Sequence, residues 1–531
     1  MASEEPQRSK KLKETGSNQM EHLDDAQKTM LVKFVPANNE EEAKENNSLD
    51  LPLNTTTVQM EACVNAILRS SPEEDSIPFA FYLETDHDAF IELTGTLGEA
   101  VREHSLGTET TLKIRYQPLA LFKVNPVTRL TESLSGHTEA ILHVQFSPDG
   151  NSLASGGGDT TVRFWDVDTM TPRYVCKGHK NHVLCTAWSP DAKKFASGDK
   201  NGEIRLWNPD TGEAPLSGRA QLLGHKKWIT SLSWEPAHRR KPAEDCDRLI
   251  SGSKDGTARI WSARTGRCEA TLTSHTDSVE CVVWGGEGLV YTASRDRTIT
   301  CWFEDGEGFK IARTLIGHAH RINFLALSNG HLCRTGPFDC EEEVIQANFK
   351  KRGKPVQQSE GSATERALVR YEKQKKLQGD SAAIPFERLV SCSDDFTLFL
   401  WYPTIQKKPI IRLTGHVQPV THLSFSPDGR FLASASFDKK VKLWDGRTGK
   451  FLHTLHGHVG KVYQVSWAPD SRLLASASSD STIKVWEVRS PNKAKFTLSG
   501  HYDEVYALDW SPNGVMLASG SKDRLVKVWR H

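Results

Sequence analysis

The sequence predicts an all-β, eight-bladed propeller preceded by a small α+β domain. Three observations carry this reading: one motif recurs eight times between residues 135 and 531, each copy has the period of β-strands, and a separate stretch at 29–118 alternates short strands with a helix. At 531 residues the chain exceeds what one hydrophobic core usually serves, so two or more domains are expected.

The repeat sets the fold. A Gly-His or Ser-His pair stands at His137, His179, His225, His275, His318, His416, His458 and His501, and each copy ends in Trp: Trp165, Trp207, Trp261, Trp302, Trp401, Trp444, Trp486 and Trp529. In five copies the two lie 28 positions apart, and in seven an Asp precedes the Trp by six: Asp159, Asp255, Asp296, Asp395, Asp438, Asp480 and Asp523. The second copy has Asn201 there. Stretches such as Ile141–Phe146 alternate with strand period, and Ser147-Pro148-Asp149-Gly150 is a turn in which Pro fixes φ and Gly accepts a positive one. The pattern resembles the WD repeat, in which each unit builds a four-stranded blade.

The recurring His, Asp and Trp fit a buried hydrogen-bonded network. Asp accepts from His, and the indole N–H needs a partner. A catalytic triad is needed once per protein and a clamp once per blade, so eight copies favour the clamp. Gly446-Arg447-Thr448-Gly449-Lys450 lacks the spacing of a phosphate loop and sits where a hairpin turn belongs.

The propeller must close. Only two residues follow Trp529, so the eighth blade needs an outer strand from elsewhere, and residues 119–134 are expected to supply a linker and that strand. Two units are longer than the rest. The third carries about eight extra residues near Ala237–Asp247, expected as a loop, and the fifth separates His318 from Trp401 by 83 positions through an insertion at about 331–386. Within it, Ser362-Ala363-Thr364-Glu365 is a capping box opening a helix to about Gln378. Leu368, Tyr371 and Leu377 are candidates to dock this helix, and Arg366, Arg370, Lys373, Lys375 and Lys376 form a basic side. The insertion reads either as a tolerated surface excursion or as a contact to a partner or to RNA phosphates.

Residues 1–28 are polar and charged, and are expected as a disordered tail; Arg8, Lys10, Lys11 and Lys13 read as a nuclear import signal or as solvated tail. From 29 to 118 the pattern is globular. LVKFVP, SLDLPL, FAFYLE and TLKIRY are strand-like, and Met60, Val64, Ile67 and Leu68 share a helical stripe. This succession suggests a ubiquitin-like β-grasp.

Composition narrows the function. Lys+Arg (67) balance Asp+Glu (67), no apolar run approaches a membrane span, and the N-terminus has no apolar signal region. Ten cysteines form no Cys-x-x-Cys pair, and Cys185 and Cys281 lie in apolar runs, as in a reduced intracellular chain. His331, Cys333 and Cys340 match no zinc spacing and lack a fourth ligand. No membrane, small-molecule substrate, intrinsic metal or cofactor, or catalysis is expected.

Several strings are more particular than a generic WD repeat: AlaLeuPheLysValAsnProValThrArg at 120–129, HKKWITSLSWEP, VECVVWGGEGLVYTASRDRT, SCSDDFTLFLW and SASFDKKVKLWDGRTGK. With the N-terminal domain, they resemble the Notchless family from about residue 29 onward. That resemblance implies a non-catalytic assembly factor of the large (60S) ribosomal subunit in the nucleus, nucleolus and nucleoplasm. Its propeller would dock on pre-60S particles, touching ribosomal proteins and rRNA. Its ubiquitin-like domain would offer an acidic residue to the metal-ion-dependent adhesion site of midasin, an AAA ATPase that itself holds the Mg²⁺. The matching residue is Glu109, in Thr108-Glu109 ahead of the last strand, with Glu84, Asp86 and Asp88 as rival carboxylates. Trp444-Asp445-Gly446-Arg447 also resembles the Trp-Asp-x-Arg pattern of substrate adaptors for cullin-type ubiquitin ligases, and the family name suggests a Notch signalling scaffold; these are the competing functions.

Overall fold

The computed structural model describes residues 29–36, 48–68, 79–84, 90–93, 96–103, 111–118, 124–213, 221–240, 245–306, 308–339, 361–378, 384–491 and 493–531. Among them no helix is long and apolar enough to cross a membrane. The chain divides into two compact units, 1–121 and 122–531.

In the first unit β1 (Thr29–Pro36) pairs antiparallel with β2 (Ser48–Pro52), followed by α1 (Thr57–Leu68), β3 (Phe79–Glu84), β4 (Phe90–Glu92), α2 (Leu97–Glu103) and β5 (Leu112–Pro118). The sheet order is β2-β1-β5-β3-β4, with β5 parallel to β1 and antiparallel to β3, which is the β-grasp arrangement. Alternation in β1 buries Met30, Val32 and Phe34 on one face, where Met60 and Val64 of α1 meet them. Leu68, expected on that stripe, is 46% exposed because it lies at the very end of α1, one residue past the last inward position. Side-chain caps start both helices: Gln59 Oε1 accepts from Thr56 N–H at 2.9 Å, and Thr96 and Glu99 cap each other at 3.0 and 3.3 Å.

The second unit holds eight four-stranded antiparallel sheets. Their innermost strands (141–146, 183–188, 229–234, 279–284, 322–327, 420–425, 462–467 and 505–510) touch in sequence, and the last touches the first, so the ring is closed. The Trp ending an inner strand often stitches its blade to the one before: Trp188, Trp234 and Trp467 donate to the carbonyls of Gln145, Ala187 and Ser424 at 3.1, 3.0 and 2.9 Å. The outer strand of the eighth blade is β6 (Arg129–Leu134), antiparallel to Val526–Arg530. Ahead of it, Val124 and Val127 are buried with Leu473, Leu508 and Trp510, and Val124 N–H donates to Asp470 at 3.0 Å. The ring is therefore sealed by residues from its two chain ends.

The insertion in the fifth blade is anchored back onto the ring. Short helix α3 (Gly330–Thr335) carries Arg334, whose guanidinium pairs with both Asp509 oxygens and donates to Phe146 O at 3.2 Å. Asp509 also accepts from Phe146 N–H at 2.8 Å. A side chain from blade five thus clamps the seam between blades eight and one. Gly336, at φ +51°, lets the chain pass blade two, since a Cβ there would lie 2.9 Å from Pro190 O.

Helix α4 (Ala363–Gln378) opens with the capping box, Ser362 and Glu365 bonding at 2.8 and 3.3 Å. It docks through Ala367 and Tyr371, one turn apart. Tyr371 stacks on His238, 3.9 Å between ring centres, and so rests on the extra residues of the third unit, which begin with a short 3-10 turn at Ala237–Arg239. Leu368, expected to dock, is 41% exposed, and the side chain of Leu377 lies outside the described residues. The basic side is also smaller than expected: Arg370 turns inward to Thr335 Oγ1 (2.7 Å) and Phe338 O (2.5 Å), and Lys375 pairs with Glu287 at 2.9 Å.

Candidate functional site

Each blade holds one polar cluster. In the first, His137 Nδ1 lies 2.9 Å from Asp159, His137 Nε2 lies 2.8 Å from Ser155 Oγ, and Trp165 Nε1 donates to the same hydroxyl at 2.9 Å. The same geometry joins His416, Asp438, Ser434 and Trp444 (2.7, 2.9 and 2.9 Å), and His458, Asp480, Ser476 and Trp486 (2.9, 2.8 and 2.9 Å). In the eighth blade His501, Asp523, Ser519 and Trp529 meet at 2.7, 2.8 and 2.9 Å. All these His and Trp side chains are buried, so the clusters hold the blades together and offer no face to a substrate. Sequence reasoning missed the hydroxyl at their centre. Its signal is plain in hindsight: a Ser or Thr stands ten residues before every one of the eight Trp.

The second blade departs from its siblings. Asn201, at the position of the usual Asp, bonds Asn181 instead at 2.9 Å, and the carboxylate beside His179 is that of Asp199, 3.4 Å away. Asp199 takes N–H bonds from Asn201 and Glu203 at 2.9 and 2.8 Å, which orient it inward.

Removing one member of a cluster strands its partners. Asp438→Ala leaves the buried His416 Nδ1 without an acceptor, at an expected cost of about 1–3 kcal/mol. Urea unfolding of the variant should show a lower midpoint, and an unchanged midpoint would contradict a structural role for the pair.

One cluster carboxyl and three buried histidines outside the clusters tie stability to pH. Burial pushes the Asp523 carboxyl up, but the His501 bond and backbone N–H donors outweigh it and hold the group at about 2. Burial lowers His143 to about 4, against the pull of Asp509 and with the push of Arg334. Burial likewise lowers His422 and His331 to about 3. All four groups bind protons more readily in the unfolded chain, near 6.5 for His and 3.9 for Asp. Their stabilisation is therefore complete above about pH 6.5, falls first as the histidines titrate, and falls further below about pH 4. Urea midpoints at pH 7 and pH 5 test this: the pH 5 value should be lower, and equal values would contradict it.

The remaining candidates fall elsewhere. Glu109 lies outside the described residues, as do Asp86, Asp88 and the side chain of Glu84; β5 begins three residues after Glu109, at the centre of its sheet. The Trp-Asp-x-Arg sequence ends in a hairpin turn, where Asp445 accepts from the N–H groups of Arg447 and Thr448 at 2.8 and 2.7 Å. Cys185 and Cys281 are buried thiols, held near 12 and 11 chiefly by burial. His331 and Cys333 lie on α3, Cys340 lies outside the described residues, and no cluster of three metal-ligating side chains occurs among the described residues.

Comparison with known proteins matches both units. The family model "WD domain, G-beta repeat" matches residues 128–166, 170–208, 218–262, 266–302, 407–445, 449–487 and 492–530, missing only the repeat split by the insertion. The model "NLE (NUC135) domain" matches 30–101. The chain is 46% identical over 382 residues to "Protein Notchless" of Drosophila melanogaster, covering 72% of each. It is 44% identical over 415 residues to "Ribosome assembly protein 4" of Saccharomyces cerevisiae, covering 77% of this chain and 76% of that one. Among solved structures, the computationally designed Ika8 protein aligns with a TM-score of 0.54 at 25% identity, over 75% of this chain and 98% of the other.

Proposed function

The chain belongs to the Notchless family, and on that premise we propose that it is a non-catalytic assembly factor of the large (60S) ribosomal subunit, working in the nucleus, nucleolus and nucleoplasm. The observation that carries this reading is the 44% identity to a protein named for ribosome assembly, sustained over about three quarters of both chains. The molecule suits a binding role. The repeated His-Asp-Ser groups, which resemble a hydrolase's residues in kind, are sealed inside the blades, while the connections between strands are left at the blade ends, where binding residues commonly lie.

In this reading the propeller docks on the pre-60S particle, and the N-terminal unit offers Glu109 to the adhesion site of midasin. The Mg²⁺ belongs to that ATPase, whose open coordination position takes a carboxylate oxygen, the ligand a hard cation prefers. Pulling driven by ATP would then act on the particle through this chain. Sedimentation of tagged full-length protein on a sucrose gradient of nuclear extract tests the docking. Migration with pre-60S particles is the expected result. Migration with a cullin ligase core, or only as free protein, would overturn it.

A further inference from the structure

We propose that the loop joining blades two and three, with the adjoining hairpin turn of each blade, forms a binding site for single-stranded RNA, with a base stacked on Trp228 and the flanking phosphates held by lysines; this rests on the ribosome-assembly reading above. Trp228 follows the repeat histidine by three, and its indole is 38% exposed where most other tryptophans are buried. Two ammonium groups sit on its ring: Lys200 Nζ at 4.6 Å and Lys254 Nζ at 4.2 Å from the centroid. Both lysines are fixed by the backbone, since Lys200 N–H donates to His182 O at 3.1 Å and Lys254 N–H to Trp228 O at 2.9 Å. Lys226 and Lys227, exposed on the same loop, add two further charges.

The other blades show why this is unusual. Lys200 and Lys254 stand seven residues before their Trp. A charge at that position in blades four, five and eight is met by the opposite charge on the preceding loop: Arg295 by Asp277 (3.7 Å), Asp394 by Arg321 (2.6 Å) and Lys522 by Asp503 (3.5 Å). In blades two and three the loop positions corresponding to Asp277 and Asp503 are Asn181 and Lys227, and neither Lys200 nor Lys254 has a carboxylate within ion-pair distance among the described residues. The acids adjacent in sequence, Asp199 to Lys200 and Asp255 to Lys254, are turned inward to His179 and His225. Two ammonium groups against one part-exposed aromatic ring, with two more lysines on its loop, thus have no carboxylate paired with them among the described residues. A single-stranded RNA supplies both things they fit, phosphates for the ammonium groups and a base face for the indole. An acidic peptide would use the lysines and leave the ring idle.

The test uses the purified full chain and a labelled oligouridylate of about 12 nucleotides, within the usual site size for such grooves. Wild type should bind it, and a duplex of equal length should bind more weakly. The Lys200→Gln, Lys254→Gln double variant should lose about tenfold in affinity, and the slope of log affinity against log salt should become shallower by about 1.4, or about 0.7 for each phosphate no longer neutralised. Trp228→Ala should lose about tenfold with its salt slope unchanged, and Trp228→Phe should keep most of the binding. Because these side chains are exposed or on loop surfaces, melting temperatures should match wild type. Variants that bind like wild type, or polyglutamate binding as tightly as RNA and indifferent to Trp228→Ala, would overturn the site. If wild type binds RNA but never migrates with pre-60S particles, the assembly reading fails and this site stands. If migration survives while no oligouridylate binds, the site fails and the assembly reading stands.

Discussion

A chain of residues 135–531 should fail to form a stable ring, whereas a chain of residues 122–531 should melt as a cooperative unit. The shorter chain loses β6, the whole outer strand of blade eight, and with it Val124, Val127 and Leu134, all buried. Burying three such side chains contributes about 1.5–3 kcal/mol each, so the loss is roughly 5–9 kcal/mol before the ladder bonds are counted. That equals much of the roughly 5–15 kcal/mol by which a domain is ordinarily stable. The deletion also leaves the polar edge of Val526–Arg530 unpaired, inviting aggregation. Thermal unfolding followed by circular dichroism distinguishes the two chains. Matching melting temperatures would mean that the N-terminal strand is dispensable for closure.

Substitution of Glu109 should abolish binding to the midasin adhesion domain while leaving the fold alone. A Mg²⁺ site with one open position distinguishes a charged carboxylate from an amide, so Glu109→Gln and Glu109→Ala should each weaken binding by roughly 100-fold or more, about 2.8 kcal/mol. Glu109→Asp keeps the charge but shortens the reach by about 1.5 Å, against a Mg–O distance of about 2.1 Å that tolerates little error, and should fail nearly as badly. The variants should still join pre-60S particles through the propeller and stall their maturation. A pull-down with and without EDTA provides the measurement. Wild-type binding that ignores EDTA, or Glu109→Ala binding equal to wild type, would refute the midasin bridge and leave the fold untouched.

Not all of the molecule is equally legible in the sequence. The helix at Ala363–Gln378 can be read from Ser362 and Glu365, because a capping box acts within one turn. Its docking face cannot. Leu368 and Tyr371 both look like anchors by hydrophobicity, and only the position of His238 in another blade makes Tyr371 and Ala367 the docking residues and leaves Leu368 outside. Arg370 and Lys375 read as a solvated basic stripe until Phe338 O and Glu287 are seen to receive them. Likewise Asn201 reads as a gap in the repeat, and Asp199 takes the role only because the turn brings it to His179.

The sequence by itself determined the eight blades, the β-grasp unit, and the His–Asp–Trp frame of the repeat. The blades and their frame rest on interactions that recur in register along the chain, so periodicity records them, and the β-grasp unit was legible from its succession of strands and helix, although its central pairing joins Val32 to Leu112. Tertiary structure alone decided how the irregular parts are used. Arg334 of blade five clasps Asp509 of blade eight beside Phe146 of blade one, and the extra residues of blade three become the seat of a helix inserted in blade five. It also decided that Lys200 and Lys254, distant along the chain, share the ring of Trp228. The reason is geometric. Closing a ring brings together loops whose separation along the chain has no fixed period, and a charge or an aromatic ring there gains its meaning from neighbours that no local pattern specifies.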